Sequence, residues 1–454
     1  MKENDNFILD IKRLGINGEG IGFYNRCAVF VNNAIPGEGH NVVITKYDGK
    51  MAFADSIENK RPSVDRVEPT CPYYSECGGC NTSHIKYSKM LELKRDILIE
   101  SLNRYTKLNT RAFEIASTVP SEQIFGYRNR SQLLVRKKDD KFTVGMLKAN
   151  SNIPVYIDDC KVQNPLINVI NRKVLEFADE LEIPPYLAKF NRGVLRYLVV
   201  RVNKKNEALV CFVCVEKNKK IRELAKKVIE IKGVVSVYEN FNTSKKDSVF
   251  FGEESNLLEG QPYIVEELGK IKYRIYPNTF FQLNTSQAEK MYDIVLKACK
   301  LSRKEKVLDA YCGVGTISLY LANMAKEVVG IEYSKDSIES AKQNAEINKI
   351  RNAKFLQGDA AELIPKLLND GEVYDILVVD PPRTGLGEKL VNTIKQSKIS
   401  KVIYVSCNPA SLAKDLQNLS EVYNVNKITP IDMFPQTAHV ECVCMLSLKD
   451  INNK

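Results

Sequence analysis

The run Lys306-Val307-Leu308-Asp309-Ala310-Tyr311-Cys312-Gly313-Val314-Gly315-Thr316 decides the fold of this 454-residue chain. An apolar strand breaks into a glycine turn and passes straight into a helical pattern. Four further strand patterns follow, at 327–332, 354–357, 375–380 and 401–406, with helical segments between them. This alternation predicts an α/β domain over residues 266–454, built as a Rossmann-like, doubly wound and mainly parallel sheet. In such a sheet, ligands gather at the carboxyl ends of the strands.

The turn residues indicate the kind of ligand. Glycines after the first strand let it approach the backbone, and Glu332, about twenty residues on, can hold both hydroxyls of a ribose. The third glycine of the dinucleotide fingerprint is missing, because position 318 is serine. A nucleoside without a pyrophosphate, such as S-adenosylmethionine, therefore fits better than NAD, and an NAD-dependent oxidoreductase is disfavoured.

Three more strand ends point at the same crevice. Val378-Val379-Asp380-Pro381-Pro382-Arg383 places a carboxylate before a stiff two-proline lip. Amino-methylating enzymes carry an aromatic residue after a comparable Pro-Pro, and Arg383 in its place points to an acceptor other than an exocyclic amine. In Tyr404-Val405-Ser406-Cys407-Asn408-Pro409, Cys407 falls at a strand-to-helix turn. There the dipole and free amides of the next helix favour a thiolate. Alone, such a cysteine reads first as a buried structural residue. In His439-Val440-Glu441-Cys442-Val443-Cys444, Glu441 opens a last strand, and beside a nucleophile and a nucleoside site it is a candidate general base. Cys442 and Cys444 share one strand face and read as packing, as do Cys211 and Cys214.

Upstream, residues 1–59 alternate short apolar runs with turn dipeptides such as Asn17-Gly18 and Asp48-Gly49, which predicts a small OB-like β-barrel suited to nucleic acid. Residues 60–265 form a mixed α+β central region. It opens with Cys71-(x5)-Cys77-Gly78-Gly79-Cys80 and continues into an amphipathic helix through Met90, Leu93, Ile97 and Leu102. The chain has twelve cysteines and no secretory or membrane-spanning apolar run, so the expected location is the cytoplasm, with no membrane partner. In that reducing compartment, clustered cysteines read as metal or catalytic ligands rather than disulfides. Spacing alone leaves zinc and iron-sulfur equally open. The excess of 66 Lys and Arg over 56 Asp and Glu suits a polyanionic partner. Phe125-Gly126-Tyr127-Arg128-Asn129-Arg130 interleaves rings and cations as RNA surfaces do, with Arg192, Arg196 and Arg201 adding charge. No obligate protein partner is evident.

A cysteine, a carboxylate and a methyl donor match one demanding reaction. Carbon 5 of uracil is too weak a nucleophile to take a methyl group until a thiolate adds at carbon 6, and a base must then remove the carbon 5 proton.

With these motifs the chain resembles, over essentially its whole length, the bacterial RNA uracil-5-methyltransferase family, specifically the TRAM-domain, iron-sulfur branch that methylates 23S ribosomal RNA. The resemblance implies a TRAM barrel over 1–59, Cys407 in Ser-Cys-Asn-Pro as nucleophile and Glu441 as base. It implies donor contacts from Gln282 in Phe280-Phe281-Gln282-Leu283-Asn284 and from Tyr311, Glu332, Asp359 and Asp380. It also implies a 4Fe-4S cluster held by Cys71, Cys77, Cys80 and the distant Cys160. Thr316 departs from the asparagine of some relatives. Because the target uracil must leave its stack, an aromatic wall is expected, and Phe280 is the candidate. The rival readings are a tRNA uridine-54 methyltransferase and a non-catalytic iron-sulfur RNA-binding or assembly factor.

Overall fold

The computed structural model describes residues 1–148, 151–246 and 249–450. Five strands, Asn6–Leu14, Gly20–Tyr24, Cys27–Val31, Gly39–Tyr47 and Met51–Arg61, close into a barrel. Alternate residues such as Leu9, Ile11, Val29, Val31, Val42 and Ile44 fill it, as a period of two requires. The barrel is docked rather than tethered. Leu14 and Ile35 pack into a core shared with the helix Tyr87–Tyr105 and the catalytic sheet. The fully buried Glu38 accepts bonds from Arg66, His40 and Asn59, and from the Ile35 and Ser63 amides. Burial works to raise this carboxyl, but the bonds from Arg66, His40 and the two amides outweigh it and hold the group well below the usual carboxylate range.

The helix Tyr87–Tyr105 buries Met90, Leu93, Ile97 and Leu102, the stripe read from the sequence. It packs along the catalytic helix Pro409–Leu419, and the two-residue strand Glu114–Ile115 joins the edge of the catalytic sheet. This part of the chain thus precedes the central sheet in sequence yet packs with the catalytic unit.

The central sheet has seven strands, mostly antiparallel. Helices Pro165–Glu180 and Lys220–Val228 cover one face. The other face carries Tyr197, Val199, Leu209, Cys211 and Val213 into a core continuous with the catalytic domain. Arg196 and Arg201, read from the sequence as surface charge, are both buried in this sheet. The Arg196 guanidinium lies over the Tyr186 and Tyr197 rings, and Arg201 donates to the Thr279 carbonyl at 3.1 Å. Every residue of their strand, Leu195–Val202, is buried because both faces of the sheet are covered there, while Arg192 in the preceding loop stays exposed. In the aromatic-basic segment, Phe125 faces solvent while Tyr127 and Asn129 are buried.

The catalytic sheet has eight strands, in the order Ala353–Gln357, Glu327–Glu332, Lys306–Ala310, Ile376–Val379, Lys401–Ser406, Glu441–Leu448, Tyr423–Ile431, Glu114–Ile115. The first five run parallel, as the strand-helix alternation predicts. Glu441–Leu448 is antiparallel to both its neighbours, so its first residue lies at the edge where the parallel strands end. Cys442 and Cys444 are fully buried, as are Cys211 and Cys214. Among the described residues no helix is long and apolar enough to cross a membrane.

Candidate active site

Strand register assembles the reactive groups. Val379 pairs with Tyr404 and Ser406 pairs with Cys442, so Asp380, Cys407 and Glu441 each occupy the next position at one sheet edge. Asn408 follows Cys407 and caps the helix Pro409–Leu419, its side chain accepting from the Ala410 amide at 3.0 Å and donating to the Arg383 carbonyl at 2.9 Å. These bonds fix the elbow on which the thiol stands. Cys407, Arg383 and His439 line one pocket of about 170 Å³.

The electrostatics differ from the sequence expectation. Cys407 precedes a helix N-terminus, which favours the thiolate. Burial, followed by the charges of Glu441 and Asp380, nevertheless pushes the thiol up to about 11 against the pull of Arg383. Burial and then Asp380 push Glu441 up to about 8, opposed by Arg383 and Lys94. Burial alone raises Asp380 to about 7. Three acidic groups confined in one crevice resist ionisation together, an arrangement that a cationic ligand would relieve. His439 is held neutral, lowered to about 4 by burial and the nearby Arg383 and Lys94.

The donor end lies on the neighbouring strands. The Gly313 amide donates to the Glu332 carboxylate at 3.2 Å, and the Ser334 amide to its other oxygen at 2.9 Å. Tyr311 and Gly313 take positive φ, and a β-carbon on Gly313 would meet nothing within 4 Å, so this face of the turn is open. Burial first, then the charges of Asp359, Asp415 and Glu332, raise the Tyr311 phenol, which places Asp359 beside that turn. Asp359 also caps the helix Ala360–Asn369, accepting from the Ala361 amide at 2.7 Å. Gln282 lies on the loop before the helix Thr285–Cys299, and its carbonyl accepts from Asn129 at 2.9 Å. Phe280, two residues earlier, is 74% exposed.

Several contributors escaped the sequence reading. Lys94 is fully buried on the helix Tyr87–Tyr105 and donates to the Asp432 carboxylate and to the carbonyls of Phe434 (3.2 Å) and His439 (2.7 Å). It thereby anchors the loop that delivers Glu441. The available signal was a lysine beside Leu93 on the apolar face of an amphipathic helix. Asn284 and Gln287 hold the same loop from the donor side, through the carbonyls of Met433 (3.1 Å) and Asp432 (2.9 Å).

Cys71, Cys77, Cys80 and Cys160 line one further pocket, together with Arg128. Burial, then the charges of Cys160, Cys77 and Cys71, push the Cys80 thiol up to about 12, and burial raises Cys77 and Cys160. The Gly79 amide donates to the Cys77 sulfur at 3.4 Å. Among the described residues, no group of three or more His, Cys, Asp or Glu side chains stands ready to hold a metal ion.

The sheet order and the open glycine turn facing Glu332 define a methyltransferase of the S-adenosylmethionine-dependent class. Residues 86–449 match the tRNA (Uracil-5-)-methyltransferase family. An "uncharacterized RNA methyltransferase" of Halalkalibacterium halodurans is 40% identical over 98% of this chain and 97% of that protein. One from Listeria monocytogenes is 39% identical over 99% of each. Among solved structures, the Pyrococcus abyssi tRNA (uracil-54, C5)-methyltransferase in complex with S-adenosyl-L-homocysteine is 33% identical, with a TM-score of 0.77, over 97% of this chain and 99% of that one. The chain belongs to the RNA uracil-5-methyltransferase family, and its methyl donor is S-adenosylmethionine.

Proposed function

We propose that this chain methylates carbon 5 of uridine in 23S ribosomal RNA through a covalent adduct to Cys407. The observation that carries the chemistry is the convergence of Cys407, Glu441 and Asp380 at one sheet edge. The Cys407 sulfur bonds to carbon 6 of the flipped uracil, and carbon 5 becomes the nucleophile. The bound donor supplies the electrophilic methyl group. Glu441 then takes the carbon 5 proton, the sulfur-carbon bond breaks, and the thiolate and the ring double bond are restored. A proton acceptor raised to about 8 matches this task, because a stronger base removes a weakly acidic carbon-bound proton more readily. Glu332, Tyr311 and Asp359 hold the nucleoside end of the donor, Gln282 and Asp380 the end nearer the reacting methyl, and Phe280 is the wall against which the unstacked base rests.

The choice of 23S rRNA rests on the four-cysteine pocket, the mark of the iron-sulfur branch that the sequence resembles. A half-buried pocket that gathers four thiols suits a cationic occupant, and Cys71, Cys77, Cys80 and Cys160 would hold a 4Fe-4S cluster there. Its role would be structural or RNA-binding, since methyl transfer moves no net electrons. Anaerobically purified protein is expected to be brown, with iron and sulfide each near four per chain by elemental analysis. A colourless protein with one zinc would reject the cluster.

The second reading, a tRNA uridine-54 methyltransferase, is favoured by the Pyrococcus abyssi structure, whose likeness covers 97% of this chain. Mass mapping of 5-methyluridine in cells lacking the protein separates the two. Loss from 23S rRNA with tRNA unchanged supports the first reading, and loss from tRNA alone installs the second.

A further inference from the structure

The pocket that holds Cys407 is completed by the barrel. Beside Arg383, His439 and the thiol, its lining includes Ile16 and Asn17 from the loop joining the first two barrel strands, and Ile97 from the helix Tyr87–Tyr105. The loop is tight, with Gly18 donating to the Gly15 carbonyl at 3.0 Å. Ile16 is 43% exposed although it stands within a few residues of the barrel core.

One side chain fixes the loop against the catalytic domain. Asn81 donates through Nδ2 to the Asn17 carbonyl, and its Oδ1 accepts from the Ala438 amide at 2.9 Å. Its own amide and that of Thr82 donate to the Gln436 carbonyl at 3.1 and 3.2 Å. Gly18 abuts the same side chain closely, since a β-carbon there would come within 2.8 Å of Asn81 Cγ. Asn81 therefore joins the barrel loop to residues 436–438, which lead directly into Glu441.

We propose that the barrel loop 15–18 is a wall of the nucleobase pocket, with Ile16 packing on the unstacked substrate nucleotide, and that Asn81 is the positioning residue that latches this wall to the loop bearing Glu441. Ile16 and Asn17 carry no charge, so the wall suits a base rather than a phosphate. The barrel thus shapes the catalytic pocket as well as binding RNA elsewhere. The inference rests on the uracil reading of the Cys407 site.

The test uses full-length protein, with RNA from cells lacking it as methyl acceptor and a 5-fluorouridine version of that RNA as adduct probe. Ile16→Ala is expected to raise KM for RNA about tenfold, with kcat within about twofold and donor affinity unchanged. Asn81→Asp keeps the acceptor for Ala438 but loses the donor to Asn17, so it should raise KM similarly. The double variant should be no worse than either single, because both release the same wall. Wild-type KM in both single variants overturns the proposal, as does full additivity, which would make Asn81 a general structural residue. Should Asn81→Asp fail to fold, Ile16→Ala decides alone by its KM. If the wild type itself forms no 5-fluorouridine adduct, the uracil reading falls and this inference with it. If it does and the variants match it, only the wall is lost.

Discussion

Cys407→Ala is expected to abolish methyl transfer, a loss of at least about 10⁴-fold in kcat, and to form no covalent complex with 5-fluorouridine RNA. The reason lies in the substrate, because carbon 5 of an intact uracil cannot attack a methyl group, and every later step waits on the sulfur-carbon 6 bond. Cys407 is partly exposed at the elbow, and the cap on the following helix comes from Asn408, so the variant should fold and bind donor normally. The thiol environment adds a pH signature. A group raised to about 11 is almost wholly protonated at neutral pH. Adduct formation by the wild type should therefore climb with pH, up to about tenfold per unit from about pH 6 to about pH 9, as the thiolate fraction grows. Rapid-quench trapping on 5-fluorouridine RNA measures it. Residual turnover in Cys407→Ala above the rate in donor-free controls would remove the covalent route.

The catalytic sheet was legible because its information is local. Each parallel strand is an apolar run closed by a polar turn, and the residues named at those turns, Asp380 and Cys407, stand where the strands end. The inverted last strand carries Glu441 to the same edge, which its position before Cys442 and Cys444 already suggested. What escaped the sequence depends on contacts between distant segments. Nothing local to Lys94 announces Asp432, and nothing near Asn81 announces Asn17 or Ala438. The burial of Arg196 and Arg201 likewise comes from distant segments, because Leu195–Val202 lies inside the central sheet with both faces covered, and two arginines in an apolar run were read as surface. The thiol expectation erred for the same reason. A helix N-terminus can be read from Asn408-Pro409, whereas the two carboxyls that oppose it arrive from strands 27 and 34 residues away in sequence.

Glu441→Gln is expected to separate the two halves of the reaction. Without the carboxylate, the Cys407 sulfur can still add and carbon 5 can still take the methyl group, but the carbon 5 proton has no strong acceptor. A methylated protein-RNA complex should accumulate and survive a denaturing gel, with turnover down about 10²- to 10⁴-fold, the usual reach of a general base. The substitution nearly preserves shape in a buried position, so donor binding should persist. The sign of the wild-type pH dependence follows from the raised carboxyl. Glu441 acts only when ionised, so product release should weaken as pH falls through about 8, and that limb should vanish from the release step in Glu441→Gln. Lys94 and Arg383 both favour the ionised form, and removing Lys94 would move the limb to higher pH. Normal turnover of Glu441→Gln without an accumulating complex would assign the proton to another acceptor and leave Glu441 a buried carboxyl whose raised value serves no step.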